Sequence, residues 1–172
     1  MSTSPGGAGR PSPFINTTGR RRPPARFAGD GDTRSECERL VRARHLGPRV
    51  IFLGWQRDPE PLYLAADIAV HTSWSESLSN FIIEAQAHGL PAVVYDAQGI
   101  SECFLPGETG FVIPPGDRTA FRVTVSRLAE AAPPERRTRS SRAHLYAAET
   151  FDPESHARAY LELFSRLTAA GS

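Results

Sequence analysis

The 172-residue chain contains no lysine. All 20 of its basic residues are arginine, set against 19 acidic residues for a formal net charge of +1. So even a balance excludes a partner held by bulk charge, such as nucleic acid. Any anion gripped by a basic side chain must here be gripped by a guanidinium. Cysteine is nearly absent. Cys37 and Cys103 are too few for a disulfide framework or a cysteine metal site, and they suit a reducing compartment. No apolar run is long enough to span a bilayer, and no basic stretch leads into an apolar segment near Met1. The expectation is a soluble cytoplasmic protein. No Gly-x-Gly-x-x-Gly fingerprint occurs, which disfavours a dehydrogenase, and there is no internal repeat.

With 40% hydrophobic and 23% charged residues, the chain has the composition of one globular domain with a sizeable core. Residues 1–24 stand apart. They are rich in Gly, Pro, Ser, Thr and Arg and hold no acidic residue, so they bury too little apolar surface to offset their ordering entropy and read as disordered. Their basic run, Arg20-Arg21-Arg22, reads as a solvated tail.

From Ala25 a regular alternation begins. Strands are expected over 25–28, 49–53, 67–72, 92–95 and 109–113. Helices are expected over 33–45, 59–66, 78–88, 100–104, 118–131, 134–149 and 154–169, several of them stopped by Gly or Gly-Pro. Asp117 and Asp152 read as N-caps, the latter followed by Pro153 at the first helical position. Alternating strands and helices with short connections mean a parallel sheet covered on both faces. The expected fold is α/β, a single Rossmann-like, doubly wound parallel sheet with extra C-terminal helices. Ligands of such sheets sit beyond the carboxyl ends of the strands, here the loops at Gly29-Asp30-Gly31, Gly54-Trp55, Ser73 to Ser77, Asp96 to Gly99 and Pro114 to Gly116.

One of those loops carries two carboxylates eight positions apart, Glu76 and Glu84, in the run Ser75-Glu76-Ser77-Leu78-Ser79-Asn80-Phe81-Ile82-Ile83-Glu84-Ala85. A helix beginning near Ser77 or Ser79 leaves Glu76 in the loop and Glu84 inside the helix, beside the stripe of Leu78, Phe81, Ile82 and Ala85. Between them lie the free N–H groups of the first helical turn, which attract phosphate without any basic side chain. A diphosphate there would have a sugar on one side and a ribose on the other, each within reach of a carboxylate. By spacing alone, such a glutamate pair also arises by chance on ordinary helices.

Residues 25–170 resemble the C-terminal, nucleotide-sugar-binding half of GT-B retaining glycosyltransferases, glycosyltransferase family 4 in particular. The likeness rests on Ala28-Gly29-Asp30-Gly31, Val50-Ile51-Phe52-Leu53-Gly54, Leu62-Tyr63-Leu64-Ala65-Ala66-Asp67, the Glu76-x7-Glu84 motif with Gly89-Leu90-Pro91, and Gly107-Glu108-Thr109-Gly110-Phe111 through Asp117. The resemblance implies sugar transfer from a nucleotide sugar to an acceptor hydroxyl with retention. Glu76 would touch the donor hexose as the catalytic residue, and Glu84 the ribose. Ser77, Ser79 and Asn80 would lie at the diphosphate or sugar, Gly29 and Gly31 would line the nucleotide cleft, and Gly54 would approach the base. It implies a nucleotide-sugar substrate, no cofactor and no metal.

Two departures stand out. The family's Glu-Gly-Phe-Gly is Glu76-Ser77-Leu78-Ser79 here, and its Gly pair after the next strand is Gln98-Gly99. The family's first, acceptor-binding domain and its diphosphate-binding lysine are also missing, so a truncated enzyme is expected, or a sugar-nucleotide-binding module served by a separate acceptor-domain chain. Among the remaining candidates, His71, His88 and His144 read as structural or surface residues. Trp55 and Trp74 read as core, with stacking on a ligand as the lesser reading. Arg136, Arg137, Arg139 and Arg142 read as a solvated helix face, with contact to an anionic membrane surface as the lesser reading.

Overall fold

A computed structural model describes residues 24–170; the expected disordered segment lies almost wholly outside them. The chain forms two compact units that meet in sequence at Pro59 and Glu60. In the first, β1 (Ala25–Ala28), α1 (Arg34–Ala43) and β2 (Val50–Gly54) follow one another. β1 and β2 pair in parallel, with Phe27 opposite Phe52 and their rings stacked 5.5 Å apart. Neither β1 nor α1 is packed as a core element would be: β1 is exposed throughout and α1 has no buried residue. A two-stranded ladder with one helix has too little surface to enclose anything.

The second unit holds α2 (Glu60–Leu64), β3 (Ala69–His71), α3 (Asn80–Ala87), β4 (Ala92–Tyr95), β5 (Gly110–Ile113), α4 (Arg118–Glu130), α5 (Pro133–Thr150) and α6 (Pro153–Ala170). Its sheet has the order β3-β4-β5, all parallel, with Ala69 opposite Ala92 and Ala92 opposite Gly110. Ala92, Val93 and Val94 of β4 are completely buried. Successive strand residues point to opposite faces, and the packing follows. Ala92 and Val94 join a core with Tyr63, Ile82, Ala85, Ile100 and Phe104, while Val93 joins Ile113 and Leu128 on the other side. Helix α3 thus covers one face and α4 the other, as doubly wound topology requires. The five expected strands all form, and hydrogen bonding divides them into a pair and a triplet, one in each unit.

The helix ends match their sequence signals. Asp117 accepts a hydrogen bond from the Ala120 N–H at 2.8 Å, and Asp152 accepts from the Ser155 N–H at 2.9 Å. Helix α5 lies over the C-terminal end of α3. There the His144 Nδ1–H donates to the Ala87 carbonyl at 2.6 Å, and Gly89, in the left-handed region at φ 73°, leaves room for Ser140. Three of the four expected solvated arginines are engaged: Arg136 with Asp67, Arg139 with Glu135, and Arg142 with Glu108. No helix among the described residues is long and apolar enough to cross a membrane.

The start of β5 is fitted to one ring. A β-carbon on Gly110 would stand 2.1 Å from the buried Phe104 ring. Gly110→Ala is therefore expected to destabilise the protein by about 1–3 kcal/mol through overpacking, seen as a lower denaturation midpoint with an unchanged m-value.

Candidate functional site

The loop from β3 to α3 lies at the carboxyl end of the sheet, and its shape depends on a glycine in the next such loop. Gly99 sits at φ 75° and heads the short helical turn over Ile100–Cys103. A β-carbon there would fall 1.7 Å from the Ser77 carbonyl oxygen, a distance that no side chain can occupy. Gly99 therefore lets the main chain at Ser77 rest directly on the neighbouring loop. The Cys103 thiol supports the same loop from below, accepting from the Ser79 N–H at 3.4 Å. Burial pushes this thiol's pKa up, so it stays protonated.

Helix α3 starts at Asn80, two residues later than expected. Ser79 takes the N-cap position in extended conformation, and its carbonyl accepts from the Ile82 and Ile83 N–H groups at 3.0 Å each. Its hydroxyl makes no capping bond. Leu78 consequently lies outside the helix and is exposed, and the buried stripe of α3 is Ile82, Ala85 and Gln86. Gln86 replaces the expected apolar contacts with a brace: its Nε2 donates to the Leu90 carbonyl at 2.8 Å and the Thr109 carbonyl at 3.2 Å.

Each carboxylate has its own partner. His71, at the end of β3, places Nε2 2.7 Å from Glu76 Oε1. Because a carboxylate only accepts, Nε2 must carry the proton. That bond is the main reason that the Glu76 carboxyl is held below its ordinary range; partial burial opposes it. Glu84 accepts from the Tyr63 hydroxyl at 2.7 Å. A row of rings joins the two pairs. Tyr63 stacks on His88 at 4.9 Å and meets Phe81 at 6.1 Å, and Phe81 meets His71 at 5.7 Å. This row explains why Phe81, expected in the core, is 40% exposed: it serves the surface array instead. Ser77, Asn80 and Glu84 are exposed as well, and Ser79 is buried.

In the first unit, Gly29 and Gly54 are brought together. The Gly29 N–H donates to the Gly54 carbonyl at 2.7 Å, and both glycines take positive φ. The Gly31 carbonyl accepts from the Arg34 N–H at 2.9 Å. Asp30 latches this turn by pairing with Arg34 and accepting from the Trp55 N–H at 2.6 Å. The Arg34 guanidinium and the Trp55 N–H hold its carboxyl below the usual range.

Three comparisons bear on this arrangement. The family described as glycosyl transferases group 1 matches residues 19–131. This chain belongs to that family. It is 33% identical over 138 residues to the lipopolysaccharide core biosynthesis glycosyltransferase LpsE of Rhizobium meliloti (strain 1021), covering 80% of this chain and 40% of that protein. Among solved structures it is similar to Anabaena HepE in complex with UDP-glucose, at 27% identity and a TM-score of 0.73, covering 83% of this chain and 41% of HepE. It is also similar to sucrose-phosphate synthase from Thermosynechococcus elongatus, at 30% identity and a TM-score of 0.70, covering 84% and 38%. The chain thus spans about two fifths of the length of these relatives. The likeness is to one half of a GT-B glycosyltransferase, and it establishes the α/β Rossmann-like fold.

For a group 1 glycosyl transferase, several site features escaped the sequence. His71 and Tyr63 precede their carboxylates by 5 and 21 residues, and no local pattern marks them as partners. Asp30 sits inside the Gly29-Asp30-Gly31 turn, where the sequence marks only the glycines, and its role shows only in the pairing with Arg34 and Trp55. Trp55 and Trp74 are 70% and 71% exposed, which corrects their core assignment. Trp74 lies with Tyr95, Phe121, Arg118 and Arg122 around an open cleft of about 690 Å³ that neither glutamate lines. No cluster of three or more His, Cys, Asp or Glu that could hold a metal occurs among the described residues.

Two outcomes test this geometry. Gly99→Ala is expected to force Ser77 off its seat, lowering stability by about 1–3 kcal/mol and shifting the amide resonances of residues 75–80 more than those of α4. His71→Phe is expected to raise the Glu76 pKa toward the ordinary carboxylate value, read by carboxyl-carbon NMR titration. The sign follows from linkage. A depressed folded pKa stabilises the protein above the unfolded pKa, and that contribution disappears as pH falls through the folded value. The stability gap between wild type and variant should therefore close on acidification.

Proposed function

We propose that this chain is the donor-binding, C-terminal half of a retaining glycosyltransferase, a half that does not by itself carry out turnover. Glu76 accepts hydrogen bonds from hydroxyls of the donor hexose, and Glu84 accepts from the ribose. The first-turn amides of α3, with Ser77, Ser79 and Asn80 around them, receive the diphosphate through the partial positive charge of the helix start. Gly29, Gly31 and Gly54 leave the first unit's strand ends bare enough for a nucleotide to come close to the backbone. In the transfer, the bond from the anomeric carbon to the diphosphate oxygen breaks and a bond to the acceptor oxygen forms on the same face. The acceptor proton leaves with the diphosphate. Fixed dipoles aimed at the departing diphosphate lower the barrier without a metal or other cofactor.

The observation that carries this reading is the pair of separately anchored carboxylates, Glu76 on His71 and Glu84 on Tyr63, flanking the start of α3. It gains support from the likeness to HepE, a protein solved with UDP-glucose and with UDP. In a second reading, it binds a sugar nucleotide without catalysis until a separate acceptor-domain chain joins it.

Calorimetry with uridine and guanosine diphosphates tests the site. One of them is expected to bind at millimolar concentration or tighter, and Glu84→Ala to weaken it about tenfold, roughly 1.4 kcal/mol. If neither nucleotide binds, or the substitution changes nothing, the site is lost. The purified chain alone should turn over a nucleotide sugar negligibly; robust transfer would overturn the half-enzyme reading.

A further inference from the structure

We infer that Tyr63 is the positioning residue for Glu84: it occupies one carboxylate oxygen and so presents the other to a nucleotide bearing ribose hydroxyls. This rests on the assignment of Glu84 to the nucleotide and adds to it a residue outside the Glu-x7-Glu motif.

The geometry is a closed circuit of four links. The Tyr63 hydroxyl donates to Glu84 Oε2 at 2.7 Å. The Tyr63 ring lies nearly parallel to His88, 4.9 Å apart at an interplanar angle of 22°. His88 Nδ1 sits 2.7 Å from the Glu84 carbonyl oxygen, and since a carbonyl only accepts, that nitrogen carries a proton. The α3 backbone then returns to the Glu84 side chain. One stacked pair of rings thus grips Glu84 at both its main chain and its carboxylate.

Tyr63 can hold this position because it is itself fixed. It is 8% exposed and has Phe81 packed on it at 6.1 Å. Burial, and the adjoining carboxylate, push its pKa well above the ordinary phenol range, so it is a donor at neutral pH. An unrestrained glutamate on an exposed helix face samples several rotamers and must be ordered when a ligand arrives. Glu84 has already lost that freedom. Oε2 is engaged by the tyrosine, and Oε1 is the edge left to accept from a vicinal diol. Bonds to a charged acceptor are the stronger kind, so both the tyrosine and the ligand hydroxyl gain from the carboxylate's charge.

The consequence is selective. Losing Tyr63's hydroxyl should harm a ligand in proportion to its dependence on Glu84, and leave alone a ligand that never touches it. Binding of UDP and of 2′,3′-dideoxyuridine diphosphate is measured for wild type, Tyr63→Phe and Glu84→Ala. The phenylalanine keeps the stack with His88 and Phe81 and removes only the hydrogen bond. It is expected to weaken UDP about fivefold or more, and to leave dideoxyuridine diphosphate within twofold of wild type. An equal loss for both ligands means that Tyr63 serves folding alone, and no loss for either means that it does not position Glu84; either result overturns the inference. If wild type binds no UDP, or Glu84→Ala matches wild type, the nucleotide-site assignment itself fails and takes this inference with it. A readout free of substitution guards against a variant that does not fold. In the wild-type chain the Tyr63 Cζ resonance should shift on adding UDP and stay in place with the dideoxy compound, and equal shifts would count against the proposal.

Discussion

Strand β4 buries three consecutive residues completely, and the pleat sends Ala92 and Val94 one way and Val93 the other. Two cores on opposite faces of the sheet therefore share one short strand. That constraint fixes what lies at the strand's end. Helix α3 is seated against one core through Ile82 and Ala85, α4 against the other through Leu128, and the loop after β4 is delivered to the place where Gly99 must accept the Ser77 main chain. The position of Glu76 thus depends on β4 through a chain of close contacts, and on the bond from His71 of β3.

Much of this was legible in the sequence because it depends on local rules. Short stretches set off by turn residues, Pro24 and Gly29 around β1 and Pro91 and Asp96 around β4, mark both strands to the residue. The Asp117 and Asp152 caps formed as expected, since capping needs only a side-chain oxygen three residues from an amide. The start of α3 was misplaced because Leu78 continues the apolar period of the helix, while the backbone at Ser79 is held extended by a contact with Cys103, 24 residues away. The two glutamates were found by their spacing and setting. Their partners were not, because a histidine on a strand and a tyrosine on a short helix have no periodic relation to the residues that they hold. Gly99 could be seen as a glycine, but the 1.7 Å approach that demands one appears only when two loops meet in space.

The absence of lysine takes on a different meaning in the folded chain. Arg34 and Arg139 face acidic side chains four positions away, and Arg136 and Arg142 reach Asp67 and Glu108 outside their helix, so part of the cationic charge of α5 is used within the protein itself. Exposed pairs of this kind add little stability each, yet they neutralise the helix face that would otherwise present a basic patch. The start of α3 carries the weaker, directional field of backbone amides.

The support under α3 divides the chain's two thiols into different kinds. Cys37 is open to solvent, whereas Cys103 is enclosed beneath the Ser79 amide. A reagent can reach the second sulfur only when the core around it opens. The rate at which Cys103 is labelled, set against that of Cys37 in the same molecule, is therefore a clock for the opening of the core beneath the Glu76 loop.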